Sequence, residues 1–91
     1  MNRLKNGFGM VSNTVMRDPE LTLGEKALYA YLSTYANSST HELFVSINKI
    51  ASECNIGQST VKRHLATLEK KKVISRLSRG QRISKITILL K

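Results

Sequence analysis

The sequence predicts an α+β domain: a three-helix core with a small antiparallel β-sheet made of a short strand and a C-terminal hairpin. Three observations lead there. Residues 47–68, INKIASECNIGQSTVKRHLATL, carry two helical periods broken by a sharp corner. Two short runs rich in β-branched residues, 73–77 and 83–90, flank a glycine-containing loop. The excess positive charge is also confined to the last third of the chain.

Taken in chain order, residues 1–7, MNRLKNG, have charge, glycine and no period, and predict a flexible start. Phe8-Gly9-Met10-Val11 is a short apolar patch, expected to lie extended on the core. Asn13 to Met16 suits one helical turn, and Arg17-Asp18-Pro19-Glu20 a turn, because Pro19 disfavours helix at Asp18. Thr22 and Glu25 have the spacing of a capping box, each side chain bonding the other's backbone amide. Behind it, Leu28, Tyr31, Leu32 and Tyr35 fall at i, i+3, i+4 and i+7, which predicts a helix over 23–36 with those residues inward. Tyr29 lies about 100° off that stripe. With Phe8, Met10 and Val11 it forms either a homodimer surface or the cover of a thin core, the latter favoured.

The polar cluster 37–42 reads as a loop and Leu43-Phe44-Val45 as a brief strand. Ser46 is placed to cap the next helix. In that helix Ile47, Ile50, Ala51 and Cys54 face the core, and Ala51 permits close helix approach. Asn55 is one of the few non-glycine residues that tolerate the left-handed backbone a corner needs, and Ile56 is expected to plug the angle between the helices. Val61, Leu65 and Leu68 then resume the period from Gln58 to about Lys71 or Lys72. Two helices joined in this way form the pattern of a DNA-binding helix-turn-helix, here over 46–72, with the hairpin in 73–91.

The chain has 91 residues, a hydrophobic fraction of 41% and a net charge of +9, which suits one folded domain. Residues 61–91 hold ten basic side chains against Glu69 alone, and residues 1–60 hold five basic and five acidic ones. The surplus therefore lies wholly in the second helix of the motif and beyond. Such asymmetry points to a polyanion. Nucleic acid is expected rather than membrane, because no basic helix here has a large aromatic or leucine-rich opposite face. A single cysteine, no run of about 20 apolar residues and no secretory signal make a cytoplasmic location the expectation.

The order of elements resembles a winged helix-turn-helix domain, with the hairpin as its wing. The stretch STVKRHLATLEKKKVI, Ser59 to Ile74, is similar to the recognition helix and wing entry of many bacterial winged-helix regulators. The stretch MRDPELTLGEKALYAYLSTYAN, Met16 to Asn37, resembles the first helix of such domains in replication initiators and replisome organisers of plasmids and phages of Gram-positive bacteria. The chain departs from that family at Asn55 and Lys72, where glycine is usual. A lysine in a left-handed site costs about 1 kcal/mol on the glycine scale.

Opposite Val61, Leu65 and Leu68 the 100° step places Ser59, Arg63, Ala66 and Lys70, flanked by Thr60, Lys62 and Thr67. Major-groove reading is assigned to Gln58, Ser59, Thr60, Lys62, Arg63 and Thr67, with Arg63 suited to guanine and Gln58 to adenine. Arg76, Arg79, Arg82 and Lys85 surround Gly80, and in winged helices such a tip lies on the backbone or in the minor groove. The competing explanation is that basic residues keep a hairpin edge from pairing with other chains. Lys70-Lys71-Lys72 also has a plain role, offsetting the helix dipole. His64 is expected to pack at the edge of the core and His41 to be solvated.

No enzyme is expected. The six acids do not pair on one element face, Cys54 sits at a core position, and Cys54, His41 and His64 lack zinc-ligand spacing. No cofactor, metal or small-molecule site is evident. The partner expected is double-stranded DNA, bound by a small transcriptional regulator. The alternatives are the origin-binding domain of a replication initiator from a mobile genetic element, which ordinarily needs a further domain, and a protein-interaction adaptor. RNA is a weaker match, for want of an aromatic stacking platform.

Overall fold

A computed structural model describes residues 10–79 and 83–89, without the side chains of 78 and 79. The expected flexible start and the hairpin tip at 80–82 lie outside the described residues. The described chain is α+β. Helix α1 (Asn13–Met16) and helix α2 (Leu23–Ser33) precede strand β1 (Glu42–Ser46). Helices α3 (Ile47–Cys54) and α4 (Gln58–Lys70) follow, then strands β2 (Ile74–Arg79) and β3 (Ile83–Ile88).

The local signals for each start and stop act as physical chemistry requires. Ser12 caps α1, and Ser46 Oγ accepts the Lys49 amide at 3.1 Å to cap α3. Thr22 and Glu25 close the capping box of α2, at 2.8 and 3.2 Å. Asp18 Oδ1 accepts the Glu20 amide across the proline turn at 2.8 Å. At the end of α4, Lys72 takes the left-handed conformation (φ 60°) that glycine usually supplies. Its amide bonds Glu69 O while the Val73 amide bonds Leu68 O, both at 2.9 Å, so the helix closes in a Schellman motif despite the lysine.

Strand β3 lies between β1 and β2, antiparallel to both. Leu43 opposes Ile86, which opposes Arg76, and Ile74 opposes Ile88. The period of two turns Leu43, Val45, Ile74, Ile86 and Ile88 onto the helices. On the other sheet face Phe44, Lys85 and Leu77 share one row, with Phe44 and Leu77 exposed. The helices meet this sheet through Leu28, Tyr29, Leu32, Ile50, Val61, Leu65 and Leu68, with Val15 and Leu21 closing one side.

Three expectations are corrected. Helix α2 ends at Ser33, continued only by single turns at Thr34 and Tyr35, and it is rotated from the expected stripe. Its buried face is Glu25, Leu28, Tyr29 and Leu32, while Tyr35 is exposed. Tyr29 is 1% exposed, so it belongs to the core rather than to a dimer surface. Met10 and Val11 do not lie on the core: Met10 is 83% exposed, and both line an open groove of about 540 Å³ beside Tyr29 and Ile88. A hydrogen bond ties that segment down instead, from the Ser12 amide to Tyr29 Oη at 2.6 Å. Ile56 is 36% exposed and does not fill the helix corner, whose interior is occupied by Ile50 and Val61, with Ala51 and Cys54 partly buried against them.

Candidate nucleic-acid interface

The candidate surface is the outer face of α4, and its orientation follows from what anchors the opposite face. Val61, Leu65 and Leu68 have no measurable exposure. The corner before the helix is set by Asn55, left-handed at φ 56° and ψ 48°, with the Ile56 amide bonded to Ala51 O at 3.1 Å. On its flank, α4 approaches α2 so closely that a Cβ on Gly24 would lie 2.9 Å from His64 Nε2. His64 is half-buried there, its Nδ1 4.0 Å from Glu25 Oε2, the packing position expected for it. His41, by contrast, is a half-buried loop residue at φ 60°, whose carbonyl accepts the Ile88 amide.

With that face buried, Gln58, Ser59, Lys62, Arg63, Ala66 and Lys70 are exposed, and Thr60 and Thr67 are half-buried. Gly57 precedes them without a side chain, so the first amides of α4 have no side-chain cap. Thr60 Oγ1 accepts from Arg63 Nη2 at 3.4 Å, which leans the guanidinium toward the helix start. Thr67 donates its hydroxyl to Arg63 O at 3.2 Å, so its proton is used within the helix. Gln58 Nε2 donates to Asn48 Oδ1 of α3. The helical period does not single out Asn48; the signal available in the sequence is a polar side chain at the start of α3, about 100° off the face of Ile47, Ile50, Ala51 and Cys54.

Charge availability separates the expected contacts. Among the described residues, no carboxylate lies within 4 Å of Lys62, Arg63, Lys70 or Lys72. Lys71 is instead bound to Glu20 and, at 3.4 Å, to Asp18. The Glu20 hydrogen bond raises the Lys71 pKa, and the Glu20 amide is the main cause holding the Asp18 carboxyl low. Of the expected wing contacts, Arg76 pairs with Glu69 at 3.2 Å and Lys85 with Glu42 at 3.0 Å. These two are engaged inside the fold. Arg79 lies at the end of β2 with its side chain outside the described set, and Arg82 is outside it altogether.

On the neighbouring surface of α2 and α3, Tyr31 and Tyr35 both donate to Glu53 Oε1, at 2.5 and 2.6 Å. These hydroxyls lower the Glu53 pKa, whereas burial and then Glu53 raise that of Tyr31. Lys49 Nζ sits 4.7 Å above the Tyr35 ring, a cation–π contact. Burial raises the Cys54 thiol pKa, which disfavours the thiolate a nucleophile needs.

A family model described as a helix-turn-helix domain matches residues 20–74, from the turn before α2 to the first residue of β2. No curated protein and no solved structure gives a significant match to the chain.

Proposed function

The chain belongs to this helix-turn-helix domain family, and on that premise we propose that it binds double-stranded DNA sequence-specifically, with α4 in the major groove. The observation that carries the reading is the outer face of α4. It keeps Lys62, Arg63 and Lys70 exposed and without carboxylate partners among the described residues, next to the neutral donors and acceptors Gln58, Ser59 and Thr60. A slim polar helix face with donors at its N-terminal end is what base edges in the major groove require. The uncapped first amides of α4 suit a phosphate oxygen at the groove edge. The hairpin acts as a wing on the flanking backbone, with Arg79 and Arg82 as its contacts, because Arg76 and Lys85 are already paired.

We assign the biological role to a small, cytoplasmic, non-catalytic transcriptional regulator, since occupying an operator needs only this interface. The second reading, an origin-binding module of a mobile-element replication initiator, is favoured by the likeness of residues 16–37 to such proteins. Footprinting distinguishes them. A palindrome with half-sites about one helical turn apart fits a dimeric regulator, and direct repeats fit an origin.

Duplex binding against salt tests the DNA reading. If six to ten phosphates are contacted, affinity falls roughly 10³- to 10⁵-fold between about 50 and 200 mM salt. An RNA duplex of the same sequence should bind at least about tenfold more weakly, because its deep, narrow major groove excludes a helix. Salt-independent binding, or none at low salt, contradicts the proposal.

A further inference from the structure

We propose that Asn48 is the positioning residue for base reading by Gln58, holding the glutamine carboxamide in the orientation that adenine accepts. The proposal rests on the DNA reading of α4 given above.

Gln58 opens α4 and Asn48 is the second residue of α3, ten positions earlier, and both are exposed at the same end of the two helices. The Gln58 Nε2–H donates to Asn48 Oδ1. A primary amide nitrogen carries two hydrogens and its oxygen accepts independently. The bond to Asn48 therefore uses one hydrogen and leaves the other, together with Oε1, for the N7 acceptor and N6 donor of adenine. While Asn48 presents Oδ1, the reversed glutamine would set two oxygens against each other, so this arrangement keeps the Gln58 nitrogen toward α3. A long glutamine side chain otherwise spends its rotamer freedom on binding, and fixing it beforehand lowers that cost.

The anchor is well founded on the α3 side. Ser46 caps the helix, Ile50 is fully buried, and Ile47 and Ala51 pack against the core. A purely structural staple between α3 and α4 has little to do here. The helices are already joined by the left-handed Asn55 corner and by Ile50 and Val61 in one core. An exposed amide–amide bond competes with water and contributes little to folding.

The test starts from the site that the full chain selects out of a random duplex library. Binding of Asn48→Ala, Asn48→Asp, Gln58→Ala and the Asn48→Ala/Gln58→Ala pair is then measured on that site, its single-base-pair variants and an unrelated duplex. Gln58→Ala should abolish discrimination at one base pair. Asn48→Ala should cut discrimination at that same pair by roughly five- to tenfold, and the double variant should lose no more than Gln58→Ala alone. Binding of Asn48→Ala to the unrelated duplex should stay within about twofold, the bound a positioning role sets when backbone contacts carry non-specific affinity. Asn48→Asp keeps the acceptor oxygen, so it should retain the discrimination while its added negative charge weakens binding to every duplex. Thermal melting of each variant within a few degrees of the parent excludes a folding effect. Equal losses of Asn48→Ala on all duplexes, or intact discrimination at the Gln58 pair, overturn the proposal and leave the DNA reading standing. Absence of any duplex binding by the parent chain overturns both.

Discussion

Along the chain, α4 and the two strands after it each carry three basic side chains: Lys62, Arg63 and Lys70 lie in α4, Arg76, Arg79 and Lys85 in β2 and β3. In space they differ. The α4 cations project away from Val61, Leu65 and Leu68, and no carboxylate among the described residues lies within 4 Å of them. Two of the strand cations meet acids on adjacent elements: Arg76 meets Glu69 from α4 and Lys85 meets Glu42 from β1. Such partly exposed pairs add little stability, about 0–1 kcal/mol each, yet they cancel charge locally. Charge counted along a sequence overstates what is available to a polyanion wherever the fold brings acids alongside.

The largest expected effect comes from the support beneath the α4 face. Leu65→Ala removes a side chain with no exposure and should cost about 2–5 kcal/mol of stability in urea unfolding. Lys62→Ala on the exposed side should cost no more than about 0.5 kcal/mol. A small loss at Leu65 would break the division of α4 into buried and presenting faces. Next in size, Arg63→Ala should lose about 1–3 kcal/mol on the selected site and relax preference at one base pair. Equal losses on selected and random DNA would reduce Arg63 to a phosphate contact. Smaller still, Lys72→Gly should stabilise the fold by about 1 kcal/mol, read as a raised urea midpoint, since glycine meets no Cβ penalty at φ 60°. It also removes a cation that has no carboxylate partner among the described residues, so slightly weaker DNA binding with higher stability would sharpen the contrast with the paired strand cations.

Much of the fold was legible because its signals are local. The capping box at Thr22 and Glu25, the left-handed Asn55, and the Val61, Leu65 and Leu68 stripe each need only neighbouring residues to be read. The rotation of α2 was not legible. Glu25, Leu28, Tyr29 and Leu32 have the same i, i+3, i+4, i+7 spacing as Leu28, Tyr31, Leu32 and Tyr35, and a glutamate at the first position masks the true stripe. Burial of Glu25 is tolerable because Oε1 accepts the Thr22 amide and Oε2 faces His64. Within the candidate interface, exposure of Ser59, Lys62 and Arg63 followed from the helical period alone. The pairing of Lys71 with Glu20, and of Gln58 with Asn48, depends on how separate elements pack, which no spacing encodes.

The comparison between the two basic regions is tested most directly by the salt dependence of duplex binding in two double variants, Lys62→Ala/Arg63→Ala and Arg76→Ala/Lys85→Ala. Each neutralised phosphate contributes about 0.9 to the slope of log affinity against log salt. The α4 pair should lower the slope by about 1–2, while the strand pair should leave it unchanged within about 0.5. A larger drop in slope for the strand pair than for the α4 pair would contradict it.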